Sequence, residues 1–334
     1  MPTTVVVGGF FGDEGKGKIV GYLALKDNIH LAVRGGVGPN AGHTVIHEGK
    51  RYRLRMIPSA VVNKDTRLMI GAGVLVNPKV LLDEINEYKA NDRLMIDKNC
   101  AIIEEEHIKR DSSGYLKSKI STTGTGTGPA NSDRVLRKAK IANDLNELRN
   151  FVGDVSYEVN DAIDKGKNVL IEGTQGTFLS LYHGTYPYVT SKDVCSSAIC
   201  SDVGVGPKKV DDVLIVFKAY VTRVGSGPLQ EEMSREEAER RGWQEYGAVT
   251  GRPRRVAPFN FELAKKALIL NSATQVAITK IDAVFKDAHG VRSYDKLPKE
   301  AKEFVEKIEN ELKTRVTLIG TGAEALDTVD RRLE

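Results

Sequence analysis

The segment GDEGKGK, residues 12–18, follows the apolar run TTVVVG at 3–8. Gly12, Gly17 and Lys18 satisfy the spacing of a phosphate-binding loop, but Ile19 stands where a Ser or Thr would ordinarily hold magnesium. Asp13 and Glu14 occupy the middle of the loop. A carboxylate beside bound phosphates is repelled unless it ligates a metal or takes a proton. The amides of such a loop and the positive end of the following helix favour an anion, and Lys16 and Lys18 add charge. A tight strand-to-helix turn with solvated charges is the plainer account, and it leaves Asp13 unexplained. The chemistry implied is nucleotide binding joined to proton transfer.

A second cluster, VRGGVGPNAGHT at 33–44, places His43 after four glycines, with Asn40 and Thr44 beside it. An imidazole that titrates near neutrality suits a general acid or a donor to a developing oxyanion. The stretch STTGTGTGPA at 121–130 offers hydroxyls and exposed amides in quick succession, as an anion cradle or simply a mobile loop. In EGTQGT at 172–177, Gln175 follows a buried-strand pattern, and its amide pairs a donor with an acceptor. TGRPRR at 250–255 packs three arginines into four residues, suited to a fork on carboxylate or phosphate. In ITKID at 278–282, Asp282 can accept from both N–H groups of the guanine edge while the stem of Lys280 lies along the ring; adenine offers no such pair of donors. The other histidines, including His183, read as ordinary surface or core residues.

These residues need a scaffold, and the glycine clusters indicate which. Short apolar runs at 5, 31, 67, 168, 212 and 275 read as buried strands of a mostly parallel sheet. Helical patterns separate many of them: one at 77 capped by Asn77 with Pro78 behind it, one at 234 capped by Ser234, an apolar one at 259 and one opening on Pro298. The segment ANSDRVLRKAK at 130–140 reads as a basic helix. In such sheets ligands bind outside the carboxyl ends of the strands, and the glycine clusters mostly follow strands, so they should converge on one face. A single large α/β domain spanning residues 1–334 is expected, with a mostly parallel sheet flanked by helices and a phosphate loop like that of P-loop nucleoside triphosphatases but modified.

Bulk properties exclude several classes. The charge of +4, from 49 basic and 45 acidic residues, is too small to argue nucleic-acid binding. Cys100, Cys195 and Cys200 form no C-x-x-C pair and no zinc spacing, as expected of free thiols in a reducing compartment. No apolar stretch approaches the ~20 residues of a membrane span, and the N-terminus has no leader pattern. A soluble, cytoplasmic protein is expected.

Taken together, GDEGKGKIV (12–20), NAGHT (40–44), TTG with GPA (122–130), EGTQGT (172–177), HGTYPYVTS (183–191), TGR (250–252) and TKID (279–282) resemble the adenylosuccinate synthetases nearly end to end and in unchanged order. The resemblance implies that IMP, GTP and L-aspartate give adenylosuccinate, GDP and phosphate, with Mg2+. It implies that Asp13 removes the N1 proton of IMP and ligates the metal, which is why the loop can spare its hydroxyl. His43 and Gln175, with Lys16, would complete the catalytic set, and Gly42 would lend a carbonyl oxygen to the metal. IMP would be met by the loop residues Asp13, Glu14, Gly15 and Lys16, by Asn40 to His43 including Ala41, and by Thr123, Gln175, Thr190 and Arg252. GTP would lie against Gly12 to Lys18 including Gly17, against Gly42, His43, Thr44 and Arg254, and its base against Lys280, Ile281, Asp282 and the turn Gly320, Thr321, Gly322. Aspartate would be met by Ala248, Val249, Thr250, Gly251, Arg252 and Arg254. Arg137 corresponds to an arginine that reaches the IMP of a neighbouring subunit, which implies a homodimer.

The chain departs from the family pattern in places. It is shorter than the common bacterial and eukaryotic members. Thr125 stands for the usual Arg, Val249 for Thr, Gly320 for Ser, and Pro253 interrupts the arginine run. Three rivals make different demands. A regulatory GTPase would have no use for NAGHT or HGTYPYVTS, an ATP-dependent ligase would ignore IMP, and a nucleic-acid binder would rest on GRPRR alone.

Overall fold

Strands that are apolar along their whole length must be covered on both faces, and this chain covers them with helices. The computed structural model describes residues 3–247 and 251–333. Its strands in chain order are β1 (Thr3–Gly8), β2 (Leu31–Arg34), β3 (His43–His47), β4 (Lys50–Leu54), β5 (Arg67–Ile70), β6 (Leu75–Val76), β7 (Leu94–Asp97) and β8 (Ala101–Ile102). Then come β9 (Val152–Gly153), β10 (Val169–Glu172), β11 (Asp212–Lys218), β12 (Val221–Arg223), β13 (Arg255–Ala257), β14 (Gln275–Thr279), β15 (Val316–Gly320) and β16 (Thr328–Asp330). Ten of them form one sheet in the order β16-β15-β14-β11-β1-β10-β2-β5-β7-β9. Every pairing in it is parallel except β15 with β16. The remaining strands pair two by two, and the β3–β4 hairpin stands beside the sheet.

The helices are α1 (Lys16–Lys26), α2 (Pro78–Tyr88), α3 (Glu105–Asp111), α4 (Thr127–Val135), α5 (Val155–Asp164), α6 (Ser196–Val203), α7 (Arg235–Arg241), α8 (Phe261–Asn271), α9 (Ile281–Val284) and α10 (Lys299–Leu312). Their starts follow the chemistry expected of them. Asn77, Asp154, Ser234 and Asn260 each accept from a backbone N–H in the first turn. Two apolar layers result, one on each side of the sheet. One includes Phe10, Phe217 and Phe259 in mutual ring contact; the other includes Ile19, Leu23 and Val45. No helix among the described residues is long and apolar enough to cross a membrane.

The basic segment at 130–140 is only half helical: α4 ends at Val135, and Arg137 adopts a left-handed backbone with φ 61°. The helix starts earlier, at Thr127, because Gly126 supplies the left-handed turn into it.

Candidate functional site

The central strands end side by side. β1 delivers the phosphate loop, β2 the 35–42 loop, β10 the Gln175 turn, and β11 and β14 deliver Lys218 and Lys280. These loops enclose one cavity of about 1270 Å³. A typical ligand site is roughly 300–1,000 Å³, so this one has room for more than one small molecule. Close backbone approach makes the convergence possible. A Cβ at Gly176 would lie 2.4 Å from the Gly12 nitrogen, and one at Gly17 would lie 2.9 Å from His43 Cβ.

Asp13 lines this cavity at φ 63°, its side chain 21% exposed and ion-paired to Arg254 at 2.8 Å. Burial raises its pKa above the ordinary carboxylate value, against the lowering effect of Arg254 and Lys218. Glu14, its neighbour, does something else. One oxygen accepts from the Phe10 and Gly12 amides at 3.0 and 2.8 Å, and the other from Lys16 Nζ at 3.1 Å. Its carboxylate therefore shapes the loop from inside, and Glu14 does not line the cavity. Lys18 does line the cavity. Its ammonium is spent on three carbonyls of the C-terminal turn, those of Gly322 (2.9 Å), Asp327 (2.7 Å) and Glu324 (2.5 Å). Burial pulls its pKa down to about 8. Lys16 lines the cavity but already donates to Glu14 and to the Gln175 carbonyl.

His43 begins β3 and is held by a residue the sequence reading missed. Its Nδ1 is hydrogen-bonded to Glu172 Oε1, and Glu172, wholly buried at the end of β10, also accepts from Ser59 N and Oγ, both at 2.6 Å. Burial alone would raise the Glu172 pKa, but His43, Arg34 and Ser59 outweigh it and bring it down to about 2. The ionised carboxylate can only accept, so the proton sits on Nδ1. Burial and the adjacent Arg34 lower the His43 pKa to about 4 against the pull of Glu172. Nε2 of His43 is buried with no partner among the described residues, and so is Asn40 Oδ1. Buried polar atoms without partners are rare in folded proteins and mark where a ligand would satisfy them. The sequence signal for Glu172 was present: a carboxylate closing the apolar run VLIE is costly unless it has specific partners.

Gln175, at φ 56°, takes a hydrogen bond from Thr174 Oγ1 on its Oε1, which leaves its NH2 as the available donor. Asn40 donates to Thr190 Oγ1 at 3.2 Å, so two expected IMP contacts already touch. Thr123 lines the cavity and pairs its hydroxyl with that of Thr125 at 3.1 Å. Arg252 reaches across to the carbonyls of Ser121 (3.0 Å) and Thr122 (2.7 Å), which ties the TGR segment to the Thr/Gly loop. Ala248, Val249 and Thr250 lie outside the described residues.

At the other end, Lys280 and Asp282 line the cavity, with Lys280 in a left-handed cap between β14 and α9. Asp282 is 3.2 Å from His289 Nδ1. A second missed carboxylate, Glu245, gathers the cations here. It accepts from Lys218 at 2.9 Å, from the Tyr220 hydroxyl at 2.6 Å and from Arg254, with Lys280 at 3.7 Å. Although burial opposes it, Lys218, Arg254 and Lys280 hold the Glu245 pKa well below the carboxylate range.

Gly12, Gly15, Gly17, Ala41, Gly42, Thr44 and Gly322 line the cavity as expected. Gly251, Ile281, Gly320, Thr321 and Arg137 do not. Ile281 is packed in the core at the start of α9, and Thr321 turns its hydroxyl to the Val291 carbonyl at 2.6 Å, so only Gly322 of that turn faces inward. Arg137 lies exposed beyond α4.

Comparison with known proteins agrees with this geometry. The family model for adenylosuccinate synthetase matches residues 5–151 and 139–286. The adenylosuccinate synthetase of Methanocaldococcus jannaschii is 56% identical over 338 residues, covering 100% of this chain and 98% of its own. That of Pyrococcus horikoshii is 54% identical over 336 residues, covering 99% of both. Among solved structures, the fully ligated adenylosuccinate synthetase of Plasmodium falciparum superposes with a TM-score of 0.93 at 26% identity, covering 99% of this chain and 100% of its own. The chain belongs to the adenylosuccinate synthetase family, whose members join IMP and aspartate at the expense of GTP.

Proposed function

We propose that this chain ligates IMP and L-aspartate in the cytoplasm, as one domain, with Asp13, His43, Gln175 and Lys16 as its catalytic residues. The observation that carries the assignment of roles is a single cavity in which Asp13, His43 and Gln175 meet, with Asn40 and Thr190 on one side and Lys280 and Asp282 on the other. Asp13 takes the proton from N1 of IMP, and the resulting O6 oxyanion attacks the γ-phosphorus of GTP as GDP leaves. The amine of aspartate then adds at C6, phosphate departs, and the amine proton is released. Burial, which raises the Asp13 pKa, brings the base nearer to its task.

The Gln175 NH2 is a donor suited to the developing oxyanion. His43 is more constrained. With Nδ1–H committed to Glu172, its Nε2 can donate only when the ring carries a second proton. Burial and Arg34 oppose that proton, Glu172 offsets them in part, and the negative charge developing at O6 supplies the rest. A preorganised donor of this kind is worth ~3–4 kcal/mol.

The donor set fits Mg2+. Asp13 and the Gly42 backbone both border the cavity beside the phosphate loop, and Mg2+ is commonly held by one or two carboxylates together with substrate phosphates. Asp13 and the Gly42 carbonyl would hold it, and the bound ion would neutralise charge on the phosphates. Arg252 and Arg254 are assigned to aspartate, and Lys280 and Asp282 to guanine. Turnover measured with IMP, GTP or aspartate omitted in turn tests the assignment: each omission abolishes activity, whereas GTP hydrolysis indifferent to IMP would place the chain among regulatory GTPases.

The homodimer belongs to the same proposal. Arg137 is exposed beside Val135 (69% exposed) and Leu136 (57%), an apolar step next to a cation that makes no ion pair among the described residues. Such a surface suits a subunit contact with Arg137 serving the partner's IMP. Asp13→Asn and Arg137→Leu proteins, each inactive alone, should on mixing regain about a quarter of wild-type activity, because one site in each mixed dimer carries neither lesion. Verified subunit exchange without recovery overturns the shared site.

A further inference from the structure

The GTP end of the cavity poses a problem of charge. A triphosphate brings several negative charges, yet the obvious cations are already engaged. Lys16 is bound to Glu14, and Lys18 to three backbone carbonyls. Arg254 divides its guanidinium between Asp13 and Glu245.

The strand β4, with sequence KRYRL followed by Arg55, supplies cations that the nucleotide motifs do not include. Alternate residues of a strand share a face, so Arg51, Arg53 and Arg55 leave β4 on one side. The antiparallel register sets Arg53 opposite Thr44 and Arg51 opposite Ile46, and directly opposed residues also share a face. All five of these residues line the cavity. Arg55 is tied to the Pro39 carbonyl at 2.9 Å, where it braces the 35–42 loop. The guanidinium groups of Arg51 and Arg53 have no hydrogen-bond or ion-pair partner among the described residues.

The position of the hairpin identifies the end of the cavity that it serves. Its far half is fastened to the C-terminal turn, with Ala325 N donating to the Ile46 carbonyl at 2.7 Å and Gly49 N to Glu324 Oε1 at 3.0 Å. Gly322 and Ala323 of that turn line the same cavity. Arg53 thus stands opposite Thr44, and Arg51 opposite Ile46, whose carbonyl is fastened to the turn that anchors Lys18.

We propose that Arg51 and Arg53 bind the polyphosphate of GTP, as two cations contributed from outside the phosphate loop. The proposal rests on reading the cavity as a GTP and IMP site. Guanidinium forks match phosphate oxygens, and both arginines are exposed enough to reach a ligand with no cost of burial in the empty protein.

The test is an Arg51→Gln/Arg53→Gln variant of the full chain, assayed with each substrate varied in turn. The KM for GTP should rise about tenfold, as expected on loss of charge-assisted contacts. The KM values for IMP and aspartate, and kcat at saturating GTP, should stay within about twofold of wild type. Added KCl should weaken GTP binding less steeply in the variant than in wild type, because fewer charges remain to be screened. The Arg51→Lys/Arg53→Lys variant should recover part of the affinity, and the two single variants give the same readout should the double one fail to fold. An unchanged KM for GTP overturns the proposal, as does an increase confined to IMP, which would assign the arginines to the monophosphate. A wild-type protein inactive with all three substrates would instead refute the underlying reading.

Discussion

The two ends of the cavity are built differently. At the end proposed for IMP, the groups that would touch substrate are held by buried contacts completed within the protein. Glu172 orients His43, Ser59 holds Glu172, Glu14 ties down the loop amides, and Thr174 sets Gln175. At the end proposed for guanine and the amino acid, the groups are held by one another. Arg254 pairs with Asp13 and Glu245, Lys280 approaches Glu245, Asp282 meets His289, and Arg252 lies on the carbonyls of the 121–122 loop. The first end is preorganised, so its residues should govern the rate of the chemical step. The second holds its charges in exchangeable pairs, so its residues should govern binding and nucleotide choice.

Asp13 sits where the two ends meet, and its loss should be the largest single effect. Asp13→Asn should lower kcat by about a thousandfold, in the range expected for a general base. Asn tolerates the left-handed backbone at this position, so an unchanged circular dichroism spectrum and thermal midpoint should accompany the loss. Near-normal turnover would remove Asp13 from the chemistry. His43→Asn should cost about a hundredfold in kcat with little change in any KM. If KM rises instead while kcat holds, the preorganised end is a binding site and the contrast fails.

Glu172→Gln sharpens the same side. It leaves a hydrogen-bonding group at the position but removes the charge that supports a protonated His43, so kcat should fall by about tenfold or more. It also has a signature in stability. The Glu172 pKa is about 2 in the folded chain against an ordinary 4.5, so its contribution is present above that ordinary value and is lost as pH falls toward 2. His43, held down to about 4 from 6.5, acts in the same direction, because the unfolded state binds its proton first as pH falls between those values. Denaturant midpoints should therefore drop on acidification below about pH 6.5, and less steeply in Glu172→Gln, where one of the two groups no longer titrates.

The smallest expected effect lies at the open end. Asp282→Asn should weaken GTP by about tenfold and favour XTP, whose base presents an acceptor where guanine has its amine. Saturating kcat with XTP should approach that of the wild type with GTP. A variant that still prefers GTP would show that Asp282 is not the group that reads the base.

Much of the fold was legible because its causes are local. Apolar runs of four to seven residues, capping side chains and glycine clusters mark β1, β2, β5, β10, β11, β14 and most helix starts. The β3–β4 hairpin was not read as one, because β4 carries arginines toward the cavity and β3 begins and ends on histidine, so neither shows a clean apolar alternation. The engagement of Lys18 was not legible for a related reason. Its place in the loop pattern is that of a phosphate ligand, but the carbonyls that claim its ammonium lie more than three hundred residues away.

The sequence by itself determined the kinds of chemistry present: a phosphate loop without its hydroxyl, a carboxylate in its place, a histidine among glycines, and an acid suited to guanine. These depend on residue type and short spacing, which the chain carries in linear order. Only the tertiary structure decided which charges are free. Glu14 and Glu172 look as reactive in sequence as Asp13, yet both are buried among partners drawn from the loop itself or from distant strands. Arg51 and Arg53 look like an ordinary charged strand, yet they are left unpaired along the wall of the cavity. Whether a charge is spent or available depends on what lies within a few ångströms of it, and for these residues that is fixed by how the loops and the β3–β4 hairpin are brought together at the ends of the parallel strands.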